Sequence, residues 1–223
     1  NSISHDLRTP LVSITGVLSS LSDGKQAMDD ETYRDLVETA LNEADRMNRL
    51  VGNLLNMTRL ESGVMRVTRQ PGDIQDAIGT ALESFGDALG KREISTDIDE
   101  NLPLVAMDFV LIVQVLVNLV DNALKYSEPD TPVGIQAHQM GKEVHLIVSD
   151  RGIGIPESDL DHIFEKFFRV ERPENIGGTG LGLSISRGII EAHGGRIWAK
   201  NRPGGGTQVT FSLPLSSPPE EKK

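Results

Sequence analysis

Leu7, Leu11, Ile14, Leu18 and Leu21 recur at steps of four and three, and Ala40, Ala44, Met47, Val51 and Leu54 repeat the pattern with charged residues between them. Both runs carry the a/d spacing of helices that pack on other helices. The first stops at Ser22-Asp23-Gly24; the second opens near Asp30 and reaches about Glu61, before Ser62-Gly63. The spacing predicts a helical hairpin. Two helices with one apolar stripe each do not close a core, so the hairpin is expected to dimerise into a four-helix bundle.

After Gln70-Pro71-Gly72 the texture becomes mixed. Ile74 to Leu89 reads as a helix, Glu93 to Ile98 as a short strand, and Asp108 to Lys125 as a long, largely buried helix with Asp108 as N-cap. Val133–Gln139 and Val144–Ser149 read as a hairpin around Gly141-Lys142. Arg196–Lys200 and Gln208–Leu213 read as another, around Pro203-Gly204-Gly205-Gly206. A helix from about Leu181 to His193 lies between them. The expected fold is α followed by α/β: a hairpin over 1–68, an α/β sandwich with helices on one face of a mixed sheet over 69–215, and a frayed tail over 216–223.

Composition narrows the function. With 223 residues and 38% apolar content, the chain can bury one or two cores. A formal charge of −11 opposes nucleic acid and anionic lipid as partners, so any anion site must be a local arrangement of Lys, Arg and backbone N–H groups. The absence of cysteine excludes disulfides and thiol catalysis and agrees with a reducing compartment. Apolar runs such as Val110–Val120 are broken by Gln114 and Asn118 and are too short to span a bilayer. Any membrane attachment is therefore expected outside this chain.

The stretch SISHDLRTPL places an imidazole in the first helix. At roughly 100° per residue, His5 sits about 200° from Leu7 and faces water. A lone histidine there is ordinarily a solvated one, but three neighbours favour chemistry. Asp6 is placed to accept the imidazole Nδ1–H and leave Nε2 with its lone pair for nucleophilic attack. Thr9, four residues on, shares the face and can hold a water near Nε2. Pro10 removes a backbone hydrogen bond and predicts a bend.

Three further segments carry polar groups where packing alone does not ask for them. In NLVDNALKYS, Asn118 and Asn122 share a helix face, and their amide oxygens suit Mg²⁺ while Lys125 suits phosphate. In SDRGIGIP, Asp150 ends a strand where it can accept a hydrogen bond from an adenine amino group, and Gly152 and Gly154 let a flat base approach the backbone. IGGTGLGLSISRG looks superficially like a dinucleotide fingerprint, but that motif must follow a strand, and here it follows the loop-like ERPENI. What remains is a Gly-rich lid running into a helix whose N-terminal N–H groups can cradle phosphates. Phe164, Phe167 and Phe168 upstream are candidates to anchor it.

In this order, the segments resemble the boxes of bacterial sensor histidine kinases. SHDLRTPL is similar to the H box, NLVDNALKYS to the N box, DRGIGIP and GGTGLGLSI to the two glycine boxes, and IFEKFFRV to the F box. NLLNMTRLESG further resembles the potassium-responsive sensor kinases. The resemblance implies a dimerisation and phosphotransfer hairpin, entered inside its first helix with the sensory half absent. An ATP-binding domain of the gyrase, chaperone and histidine kinase type follows. It implies ATP and Mg²⁺ as cofactors, with Asn122 ligating the metal, Asn118 alongside, and Lys125 and Tyr126 near phosphates and base. Asp150, Gly152 and Gly154 are implied for the base, and Gly178, Thr179, Gly180, Leu181 and Gly182 for the nucleotide lid. His5 is implied as phosphoacceptor, with Asp6 and Thr9 as helpers. The phosphoryl group is then expected to pass to an aspartate of a response regulator, with phosphatase activity toward that regulator. The implied setting is a homodimer, as the cytoplasmic catalytic core of a membrane-anchored sensor.

Two rivals remain in view. A non-catalytic nucleotide-binding scaffold would keep Asp150 and the glycines but need not keep His5 or Asn122. A gyrase-like ATPase carries a glutamate base where this sequence has Asn118, and an amide takes no proton from water.

Overall fold

The computed structural model describes residues 2–22, 29–61, 67–90, 92–170 and 179–215. The chain divides into two compact units at residues 63 and 64.

The first unit is a helical hairpin of α1 (Ser2–Ser22) and α2 (Asp30–Glu61). The chain enters α2 through Asp29, whose Oδ1 accepts the Thr32 N–H at 2.7 Å. That bond satisfies one of the orphan donors of the helix start and holds the Asp29 carboxyl below its ordinary value. On α1, Pro10 and Val17 are buried, and Leu7, Ile14 and Leu21 are half-buried beside them. Leu11 and Leu18, from the same heptad pattern, remain 51% and 55% exposed. The apolar stripe is thus wider than the α1–α2 seam. The helix continues unbroken through Pro10.

The second unit begins with a two-stranded antiparallel ladder, β1 (Gln70–Gly72) against β3 (Val105–Met107). Its main sheet has the order β2-β4-β5-β7-β6, formed by Ile94–Ile98, Val133–Met140, Glu143–Ser149, Thr207–Pro214 and Ile197–Asn201. β2 runs parallel to β4 and every other pairing is antiparallel, which makes the sheet mixed. Strand β4 alternates buried Val133, Ile135 and Ala137 with half-exposed Gly134, Gln136 and His138, the pattern of a sheet covered on one face. The cover is α3 (Ile74–Glu83), α4 (Phe109–Lys125) and α5 (Gly182–Ala192).

Helix α4 is central. Ile112, Val115, Leu116, Leu119, Val120 and Ala123 are buried along it, and each large aliphatic side chain so buried contributes about 1.5–3 kcal/mol. Asp108 caps its N-terminus by accepting the Leu111 N–H, as the sequence predicts. Helix α3 is shorter than the predicted Ile74–Leu89. It ends at Glu83, and Gly86 with φ +46 breaks the path before a 3₁₀ turn over Gly86–Leu89. The β1–β3 ladder is absent from the sequence reading, which placed only a boundary at Gln70-Pro71-Gly72.

A polar knot ties the far ends of α4 and α5. His193 is buried; its Nε2 accepts the Asp108 N–H at 2.9 Å and its Nδ1–H donates to the Ile189 carbonyl at 2.7 Å. That tautomer is neutral, and burial pushes the ring's pKa down. The Thr68 N–H donates to Asp108 Oδ2 at 3.1 Å and Arg69 Nη2 to the Ala192 carbonyl at 2.8 Å, so the segment entering this unit fastens to both helices.

Candidate active site

Asn118 and Asn122 lie half-buried one turn apart on α4. Asn118 Nδ2 donates to Ser186 Oγ of α5 at 2.9 Å. The nitrogen being so engaged, the amide oxygen turns toward the start of α5: a Cβ on Gly182 would stand 2.1 Å from Asn118 Oδ1. Gly182 is therefore the space that lets an amide oxygen sit at the first turn of α5. Leu181, at the N-cap position and buried, supplies no side-chain cap. A hard oxygen donor beside a helix N-terminus suits a divalent cation shared with phosphate oxygens. Among the described residues no cluster of three His, Cys, Asp or Glu offers an alternative metal site.

The second group surrounds Asp150 at the end of β5. Only 7% of Asp150 is exposed; its Oδ1 accepts the Gly152 N–H at 2.7 Å and the Thr207 N–H at 3.0 Å, which fixes the plane of the carboxylate. Its own N–H donates to the Thr207 carbonyl at 2.9 Å. A Cβ on Gly152 would fall 1.9 Å from the Tyr126 carbonyl oxygen. This glycine brings the loop after β5 onto the C-terminal end of α4, so Asp150, Tyr126 and Asn122 belong to one neighbourhood. Gly154 turns the loop with φ +72.

Lys125 is exposed and ion-paired to Asp121 one turn back, so meeting a phosphate means leaving that partner. Gly180 has φ +68, and its carbonyl accepts the Phe167 N–H at 3.0 Å. A Cβ there would come within 2.7 Å of the Phe167 carbonyl carbon. Phe167 itself is in the left-handed region at φ 63 and is exposed, whereas Phe164 is buried. The three phenylalanines read together in the sequence thus divide: Phe164 packs in the core, Phe168 is half-buried, and Phe167 contributes a backbone turn under Gly180 rather than an apolar anchor. Thr179, half-buried, precedes Gly180.

On the hairpin, His5 and Asp6 lie on α1 with side chains outside the described residues, Thr9 is exposed, and Gly178 is likewise outside the described residues. Ser186, Thr207, Asn201 and Arg202 were not among the predicted site residues. Ser186 lies within the IGGTGLGLSISRG stretch, whose glycines carry its signal, and near the other three the signal is the Pro203-Gly204-Gly205-Gly206 turn, which reads as a simple chain reversal.

Comparison with known proteins agrees with this division. Residues 1–63 match the His Kinase A (phospho-acceptor) domain, and residues 107–217 match the histidine kinase-, DNA gyrase B-, and HSP90-like ATPase family. The sensor protein KdpD of Clostridium acetobutylicum is 33% identical over 215 residues, covering 96% of this chain and 24% of that protein. The sensor histidine kinase WalK of Bacillus subtilis is 36% identical over 227 residues, covering 98% and 36%. The catalytic domain of histidine kinase ThkA superposes with a TM-score of 0.59 at 32% identity, covering 68% of this chain and 97% of that one. ThkA in complex with the response regulator protein TrrA gives a TM-score of 0.67 at 26% identity, covering 99% and 61%. The chain belongs to the protein-histidine kinases of two-component sensor systems. It spans about a quarter to a third of the length of these curated relatives. KdpD and WalK stand at similar identity, so the match defines the family and does not single out the KdpD subgroup.

Proposed function

We propose that the chain autophosphorylates His5 from ATP and delivers the phosphoryl group to an aspartate of a response regulator. The observation that carries this reading is Asn118. It is an amide, held by Ser186, at the place where a hydrolase of the gyrase type would need a carboxylate. An amide takes no proton from water, so the site is poor at activating a hydrolytic nucleophile and suited to an acceptor that needs little activation. A neutral imidazole, with an ordinary pKa of about 6.5, is one.

In this reading, Asp150 receives the adenine amino group, Gly152 and Gly154 admit the base, and the first N–H groups of α5 from Leu181 and Gly182 meet the phosphates, with Gly178, Thr179 and Gly180 in the lid before them. Asn122, with Asn118, would hold Mg²⁺, which when bound neutralises charge on the phosphate oxygens. Lys125 exchanges Asp121 for a phosphate oxygen, and Tyr126 borders the base. Nε2 of His5 attacks the γ-phosphorus; the N–P bond forms as the bond to the bridging oxygen breaks and ADP departs. Asp6 holds the Nδ1 proton and offsets the positive charge that develops on the ring. Positioning supplies most of the rate in such transfers. The regulator aspartate then takes the phosphoryl group from His5, as the ThkA–TrrA complex supports for a relative. The exposed Leu11 and Leu18 support a homodimer through a four-helix bundle. Thr9 is the residue assigned to orient water for dephosphorylation of the regulator, and residues 1–68, 69–215 and 216–223 are assigned as hairpin, ATP domain and tail.

Incubation with γ-labelled ATP and Mg²⁺ tests the proposal. The label should be lost in acid and kept in alkali, and be absent from His5→Gln. Asn122→Ala should abolish transfer while ADP still binds. Acid-stable label, or label retained by His5→Gln, overturns it.

A further inference from the structure

The turn from Asn201 to Gly206, between β6 and β7, is built for more than chain reversal. Gly204, Gly205 and Gly206 have φ of 83°, 101° and 94°, a region closed to most side chains. A tight hairpin asks for one or two such residues. Three in succession curl the turn back on itself: the Arg202 N–H donates to the Gly206 carbonyl at 2.9 Å, and the Gly205 N–H to the Arg202 carbonyl at 3.2 Å. The curl seats it on the backbone after β5. A Cβ on Gly206 would stand 2.2 Å from the Asp150 carbonyl oxygen and 2.9 Å from the Arg151 Cα.

Two side chains reach out from this turn. Asn201 Oδ1 accepts the Ile155 N–H at 2.8 Å, and Asn201 Nδ2 donates to the Ile155 carbonyl at 2.6 Å, so one amide satisfies both backbone groups of that residue as a neighbouring strand would. Arg202 Nη1 donates to the Asp150 carbonyl at 2.8 Å. The loop from Asp150 to Ile155 is thereby pinned at both ends from another strand. Its first half is also held by the Gly152 N–H bond to Asp150 Oδ1. Gly152 and Gly154 carry no side chain to pack, and Ile153 is exposed.

We propose that Asn201 and Arg202 are positioning residues for the nucleotide base, holding the 150–155 loop in the one form that receives it. The proposal rests on the reading of Asp150 as the base-recognition group. Their bonds go to Asp150 and Ile155 and not to Asn118 or Gly182, so their loss falls on what ATP and ADP share and spares the phosphate end.

The test uses the 223-residue chain. Dissociation constants for Mg-ATP and Mg-ADP are measured by calorimetry, and KM and kcat by incorporation of labelled phosphate. Asn201→Ala and Arg202→Ala should each weaken both nucleotides about tenfold and raise KM in step, with kcat at saturating ATP within about twofold of the parent. Arg202→Lys keeps a donor for the Asp150 carbonyl and should restore affinity to within about threefold. Asp150→Asn separates the two layers. If it binds nucleotide like the parent, the base-site reading itself fails. If it weakens binding while Asn201→Ala and Arg202→Ala bind normally, the positioning role alone is overturned. A fall in melting temperature and kcat with KM unchanged also overturns it, because that is the mark of damaged folding and not of a displaced loop.

Discussion

The hairpin and the α/β unit solve the burial problem in opposite ways. In the α/β unit, Val115, Val120, Ile189, Ile190, Phe211 and Leu213 are fully enclosed by elements of the same chain. In the hairpin, Val17 is the one large apolar residue among those described that reaches the buried class, while Leu11, Leu18, Leu41 and Leu55 stand more than half exposed. One unit is self-sufficient; the other offers apolar surface that a second copy can cover. The α/β unit therefore draws its core from its own elements and takes none of it from the hairpin.

The largest expected effect breaks the α/β unit where α4 meets the first turn of α5. Gly182→Ala places a methyl 2.1 Å from Asn118 Oδ1. The amide or the start of α5 must move, and autophosphorylation should fall about 100-fold by the labelled-phosphate assay, since small misplacement of a positioning group costs that much. Sedimentation should still show the dimer. If dimerisation fails as well, the two units are not independent.

Next in size, Leu18→Glu sets a charge on the exposed stripe of the hairpin. The dimer should dissociate at least about tenfold more readily in sedimentation, consistent with desolvating a carboxylate at an apolar seam. ADP affinity should hold. A variant that stays dimeric would remove Leu18 from the seam.

A smaller, selective loss is expected at Thr9. Thr9→Ala should keep autophosphorylation of His5 and lose about tenfold in dephosphorylation of the phosphorylated regulator, both measured on one preparation. Parallel loss of both would mean that the hydroxyl serves the helix beside Pro10 and not the reaction.

The smallest effect is confined to acid. His193 is neutral in the fold with its pKa depressed below 6.5 by burial, against the opposing pull of its hydrogen bond to Ile189; Arg69 lowers it further and Asp108 raises it. The unfolded chain takes up a proton near pH 6.5 that the folded chain refuses. The stabilisation is therefore complete above that pH and declines as pH falls below it toward the depressed value. His162 shifts the opposite way through its hydrogen bond to Glu165, but both lie in water and weigh little. Melting temperature against pH should show an acid limb for the α/β unit that His193→Gln flattens. An unchanged limb would exclude His193 as its source.

What the sequence made legible was whatever local chemistry dictates. Helix α4 is readable because Asp108 is a good N-cap before an apolar run, and the β4–β5 hairpin because alternating residues flank Gly141, which adopts φ +66. The end of α3 was misread because a single glycine turning left-handed at position 86 outweighs the apolar pattern that continues past it. The β1–β3 ladder was invisible: three residues, one of them Pro71, make no strand signal until Val105–Met107 lies beside them. At the site, Asn118, Asn122, Asp150 and the glycines announce themselves by being polar or flexible inside apolar runs. Ser186, Asn201 and Arg202 do not, because the partners that their side chains bond lie between 46 and 68 residues away in the chain.

The knot at the far ends of α4 and α5 acquires a mechanical meaning alongside the Asn118–Ser186 bond. The two helices run in opposite directions and are riveted twice, once at Asp108–His193 and once at Asn118–Ser186. One rivet would leave a swivel. Two leave a strut, in which neither helix slides or turns without carrying the other. Thr68 and Arg69 are bolted to the same end of that strut, one to the head of α4 and the other to the tail of α5. A tug on the chain at residue 68 is thus applied to a lever whose opposite tip carries the Asn118 amide and the first turn of α5.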